Sequence, residues 1–145
     1  MGASTLYEND FFAWANEQAA LLRAGKLTDA DIVHIAGEIE SMGRTEKREL
    51  VNRLAVMFLH LLKWQFQPSL RSNSWRNSVR IQRRDLARHM LDNPSLKGIL
   101  AEAVADAYGN AIIGASDETG LFEETFPAVC PWSFERAMAD DFWPQ

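Results

Sequence analysis

A chain of 145 residues, 47% hydrophobic and 24% charged, has the length and balance of one compact domain that buries its own core, with no room for a second. Its single cysteine, Cys130, excludes an internal disulfide framework and a multi-cysteine zinc site, which fits a reducing, cytoplasmic setting. The net charge of −5 argues against general nucleic-acid binding.

The opening MGASTLYEND lacks the basic start and apolar core of a secretory leader. The longest apolar run, residues 54–59, falls far short of the roughly 20 residues a membrane span needs, so no membrane association is expected. Charge is unevenly spread. Residues 1–43 carry two basic and seven acidic side chains, residues 44–97 twelve and four, and residues 98–145 one and nine. Such blocks pair when helices pack antiparallel, or they leave a basic stripe for a partner.

Helical periodicity runs through the chain, and no stretch alternates as a strand would, so the expected fold is all-α: an up-down bundle of four principal helices, one of them very long. The first helix is expected from residue 6 or 10 to residue 24, with Thr5 and Glu8 at capping-box spacing and Gly25 as its stop. Phe11, Trp14, Leu21 and Leu22 share a side of it that Gln18 interrupts. Thr28 is the expected cap of the second helix, which continues to Phe66, where Pro68 forbids more. Ile32, Ile39, Leu50, Leu54, Met57 and Leu61 project within about 40° of one direction at 100° per residue, so the phase survives Gly43. A continuous helix with a weak point at Gly43 is expected; the alternative is a break there with Thr45 as a new cap.

The third helix is expected from about Ser74, capped by Ser72 or Asn73, to Asn93, with Trp75, Val79, Leu86 and Met90 inward. Asn93-Pro94 opens the fourth, since proline is tolerated in a first turn. Its inward row, Leu96, Leu100, Ala103, Ala107, Ala111 and Ala115, is mostly small, which lets helices approach closely. Gly120 caps it, and a proline-punctuated C-terminal loop follows with one short helix over residues 132–138.

Chemistry-bearing residues gather first on the long helix. Glu46, Arg53 and His60 repeat at sevens in one slowly drifting lane, with Glu49, Lys63 and Trp64 within reach. A carboxylate, a guanidinium and an imidazole beside a core could form an acid–base or anion-binding pocket. Pairing along the helix and with the acidic fourth helix is the competing reading. His60, among leucines, reads more readily as a hydrogen-bonded core histidine than as a ligand. The histidines form no H-E-x-x-H or Glu-x-x-His pair, and Asp31, His34 and Glu38, which share a face, read as solvated side chains; no metal, cofactor or catalytic residue is assigned.

Arg76, Arg80, Arg84 and Arg88 form an i, i+4 stripe with Arg83 beside it, pointing away from the inward face. Arginine forks suit carboxylate or phosphate groups. No interleaved aromatic residues or helix-turn-helix signature accompany them, so nucleic acid is not expected; a solvated or intramolecularly paired face is the plain reading, and a protein partner or a second copy of the chain is the candidate occupant otherwise. Cys130 reads as a small buried hydrophobe.

The stretches LYENDFFAW, EIESMGR, HLLKWQFQP, SW, NPSL, ETGL and FPAVCPW, in this order and spacing, resemble the bacterial domain-of-unknown-function family twenty-nine over nearly the whole chain. That resemblance implies a compact all-helical bundle and no established activity. One departure stands out: Gly37 lies where the family usually has a second glutamate before Glu38, so a site needing that carboxylate pair would be impaired. Two function classes follow: a non-catalytic interaction or regulatory module using the arginine stripe, or a small-molecule-binding protein or enzyme using the Glu46, Arg53, His60, Lys63 and Trp64 pocket.

Overall fold

A computed structural model describes residues 2–145, apart from the Ser4 side chain; Met1 of the opening MGASTLYEND stretch lies outside the described residues. The described residues are helical with no strand: α1 (Ala3–Asn9), α2 (Phe11–Arg23), α3 (Ile32–Phe66), α4 (Asn73–Asp92), α5 (Leu100–Thr119) and α6 (Phe134–Met138), joined by short 3₁₀ turns. The chain divides into two compact units, one ending at Thr45 and the other Glu46–Gln145, and α3 contributes residues to both.

In the first unit, the single helix expected before Gly25 is two. Asp10 leaves helical geometry and its carboxylate accepts the Ala13 N–H at 3.1 Å, so it caps α2 in place of the Thr5/Glu8 box. Gly25, at φ +74°, ends this segment as expected. Gln18 does not merely interrupt the apolar side of α2: it is buried with Trp14, because its Oε1 accepts the Asp31 N–H at 2.7 Å, whereas Phe11 is half exposed. The start of α3 also shifts. Thr28 falls in a 3₁₀ turn, and Asp31 serves as the cap, accepting the His34 N–H at 3.4 Å.

From there α3 runs unbroken across Gly43 for 35 residues. In the second unit its Leu50, Leu54, Met57, Phe58, Leu61 and Leu62 are fully buried, together with Val79 and Leu86 of α4. Each such side chain contributes roughly 1.5–3 kcal/mol by leaving water. The alanine row of α5, Ala103, Ala107, Ala111 and Ala115, meets them as its spacing requires. The turn Pro94–Ile99 is 3₁₀, so α5 proper begins at Leu100. Gly120, at φ +77°, donates its N–H to Ser116 O and closes α5.

The segment after α5 completes the core, with Phe126, Trp132 and Ala137 buried in the same cluster. What holds it is Arg83. Expected beside the solvent-facing stripe, this residue is 3% exposed. Its Nε donates to Ala137 O at 2.8 Å, its Nη2 to Phe142 O at 2.7 Å and its Nη1 to Asp140 O at 3.4 Å. The physical reason is position: Val79, Arg83 and Leu86 lie on one face of α4, and a guanidinium can enter that face because three carbonyls receive it.

Candidate functional site

The polar residues of α3 and α4 converge on one cleft of about 480 Å³, lined by Glu46, Glu49, Arg53, Asp85, Arg88, His89, Asp92 and Asn93. Spacings of three and four put Glu46, Glu49 and Arg53 on one face of α3, and the same spacings put Asp85, Arg88, His89 and Asp92 together on α4. Arg53 is the clasp. Its Nε and Nη2 reach Glu49 Oε1 at 3.0 and 2.9 Å, and its Nη1 reaches Asp85 Oδ2 at 3.2 Å. His89 is the buried member, 7% exposed, with Nε2 at 2.9 Å from the Glu46 carbonyl. Its Nδ1 lies 3.4 Å from Glu49 Oε2 and 3.6 Å from Glu46 Oε2.

Of the six side chains grouped on the long helix by spacing, the structure brings three together: Glu46, Glu49 and Arg53. The others go elsewhere, because 35 residues of helix are about 52 Å long and sevens drift around its axis. His60 is half-buried, and its Nδ1 turns back to Val56 O at 2.8 Å, which satisfies the ring within its own helix. Lys63 is buried; its Nζ pairs with Glu118 at 3.0 Å and stands 4.7 Å from the Trp75 ring centre. Trp64 packs on Trp143 at 4.7 Å, with Arg71 and Arg76 over its ring. His89, on another helix, is the member that one-helix spacing could not supply.

The arginines of α4 serve different ends. Arg76 lies over the Trp64 and Trp143 rings, and Arg88 lines the cleft. Arg80 donates to Asn77 Oδ1 at 3.3 Å, and Arg84 reaches Asp85 Oδ1 at 3.2 Å while remaining largely exposed. Among the described residues, none of the four pairs with a carboxylate of α5; the cross-helix ion pairs of α5 are made by Lys47 to Glu102 and Lys63 to Glu118. Arg80 and Arg84 instead border a concavity of about 900 Å³ with Asn77, Ile81, Arg83, Ala87, Met138 and Asp140.

A second polar network sits in the first unit. Asp31 receives the Trp14 indole N–H at 3.0 Å and faces His34 Nδ1 at 2.8 Å. Burial opposes its charge, yet the hydrogen bonds from the His34 ring, the Trp14 indole and the His34 backbone outweigh that and hold its carboxyl below the ordinary range. The Tyr7 ring stacks on His34 at 4.0 Å and its hydroxyl donates to Glu38, which raises the phenol above its usual value, with desolvation and the neighbouring carboxylates adding to the effect. Asp31, His34 and Glu38 are therefore engaged by Trp14 and Tyr7 rather than freely solvated. Gly37 has open space around it.

Cys130 is half-buried, its Sγ–H donates to Trp132 O at 3.3 Å, and burial raises its thiol. A thiol held protonated is a poor nucleophile. Among the described residues, no helix is long and apolar enough to cross a membrane. No curated protein and no solved structure matches the chain. The model of the family described as domain of unknown function DUF29 matches residues 6–143, nearly the whole length and every stretch used above, and the chain belongs to that family.

Proposed function

We propose that the protein is a non-catalytic interaction module whose α4 grips an acidic segment of a partner protein at Arg80 and Arg84. The observation that carries this reading is that these two guanidiniums border the 900 Å³ concavity, while Glu102 and Glu118 of α5 pair with lysines of α3 instead. The concavity also offers apolar contact. Ile81 is half exposed, and Ala87 and Met138 lie beside it, so an acidic segment with an aliphatic anchor matches both its charge and its surface. Charge steering toward a basic helix on an otherwise acidic protein favours such a ligand over other acidic molecules of no defined shape.

Fluorescence anisotropy with a labelled amphipathic peptide rich in glutamate and leucine tests it. Each exposed ion pair contributes about 0.2–1 kcal/mol, so reversing both charges in Arg80→Glu/Arg84→Glu should weaken binding by about tenfold or more, and added salt should do the same to the unaltered protein. Equal binding by the reversed variant refutes the reading, as does tighter binding of a single-stranded oligonucleotide than of the peptide.

A further inference from the structure

We infer that the cleft between α3 and α4 binds one divalent first-row transition-metal cation, held by Glu46, Glu49 and His89. These side chains each offer one ligand atom, and the three atoms lie within 4.8 Å of one another, close enough for small side-chain rotations to bring them onto one ion. Proximity of carboxylates alone would mean little. The buried imidazole between them carries the inference.

His89 Nε2 is 2.9 Å from the Glu46 carbonyl oxygen, which can only accept, so Nε2 carries the proton. In the neutral ring Nδ1 then presents a lone pair, and what it faces is two more acceptors, Glu49 Oε2 at 3.4 Å and Glu46 Oε2 at 3.6 Å. Three lone pairs directed at one point repel unless something positive lies between them. A second proton on the ring would serve, and so would a metal ion. The surroundings are those of a metal site: a ring N–H fixed by a backbone carbonyl is the usual support for a metal-bound histidine. Glu49 is supported in the same way, since Arg53 occupies its Oε1 and leaves Oε2 aimed at the imidazole.

Charge agrees. The cleft lining holds four carboxylates against two guanidiniums, an excess equal to the charge of a divalent cation. A donor set of one imidazole nitrogen and two carboxylate oxygens suits zinc, manganese or iron(II) better than magnesium or calcium, which take oxygen donors. The cleft is open, so water would fill the remaining positions. This assignment stands independently of the acidic-partner reading, because it uses none of the residues at the Arg80/Arg84 concavity.

The test is zinc and manganese(II) titration of the chelator-treated full chain by calorimetry, alongside long-range ¹H–¹⁵N spectra of the three histidine rings. The expected result is one ion per chain, with the Nδ1 resonance of His89 displaced by zinc and those of His34 and His60 unmoved. Glu46→Gln/Glu49→Gln alters two partly exposed side chains and keeps the buried ring, so it should fold while losing more than the ~10–100-fold in affinity that removing even a supporting group costs. His89→Ala, whose folding is less secure, is read only after its circular dichroism matches that of the unaltered protein. Failure of both metals to bind overturns the inference. Undiminished binding by the double glutamine variant overturns it too, as does calcium binding as tight as zinc.

Discussion

Replacing Arg83 with methionine removes the guanidinium and keeps most of the volume of its stem, which isolates the three tail carbonyls as the variable. Two of the bonds, to Ala137 O and Phe142 O, are short and charge-assisted; the third, to Asp140 O at 3.4 Å, is at the limit of usefulness. Hydrogen bonds to a charged group contribute about 1.5–3 kcal/mol each, and Ala137, fully buried, would be left with an unanswered carbonyl. Against this stands the cost of keeping a guanidinium out of water, visible in the lowering of the Arg83 pKa by burial. The balance for Arg83→Met is a loss of about 3 kcal/mol. With a urea slope of about 2 kcal/mol/M for a chain of this size, the midpoint should fall by roughly 1.5 M. Amide exchange should quicken first in residues 134–143, since those carbonyls are released before the α3–α5 core opens. Arg83→Lys should recover less than half of the loss, because one ammonium cannot span carbonyls that a planar fork reaches together. A midpoint shift below roughly 0.3 M, or unchanged exchange in the tail, would refute the assignment of Arg83 as its anchor.

Other outcomes follow from single positions. Both tyrosines, Tyr7 and Tyr108, are raised, Tyr108 to about 12 by burial and the nearby Cys130, so an alkaline absorbance titration should show no tyrosine ionising at the ordinary value of 10.0. A raised folded-state value means stability present below that pH and lost above it, so alkaline unfolding should set in as the pH climbs from 10 toward 12, later in Tyr108→Phe. Asp31 has the opposite sign: its contribution is complete above the ordinary value of 3.8 and disappears as the pH falls through its lower folded value, so Trp14 fluorescence should report an acid transition that Asp31→Asn flattens. Gly43→Ala, with open space around an exposed helical position, should raise stability by about 0.5–1 kcal/mol in thermal melts, whereas Gly120→Ala should lower it by about 1–2 kcal/mol, since its backbone is left-handed.

What could be read in advance was whatever one helix decides by itself. The apolar phase of residues 50–61, the alanine row of α5, the Ser72 cap and both glycine stops depend on local spacing and backbone chemistry, and the structure has them. The shifted caps at Asp10 and Asp31 were hidden because several nearby polar residues can cap, and at Asp31 the hydrogen bonds with Gln18 and Trp14 make the selection. For the polar site, half was legible. Glu46, Glu49 and Arg53 share a face by spacing alone, but their partners Asp85 and His89 come from α4, and spacing within one helix does not say which residues of another stand opposite them. The small interior of a helix bundle can admit a charge wherever backbone carbonyls await it, and no periodicity records those.

The tail anchor has a consequence in time. Arg83 meets Phe142 across 59 positions of sequence, so the closing contact forms only after the whole intervening chain has been synthesised. Until then α3, α4 and α5 must associate around an open side, with Phe58 and Tyr108 lacking the Trp132, Phe126 and Ala137 that later cover them. A chain whose tail has not yet docked leaves that apolar side uncovered. Its yield in cells should depend on how quickly that last segment docks, and so on Arg83 as a catch for the folding chain as much as a brace for the folded one.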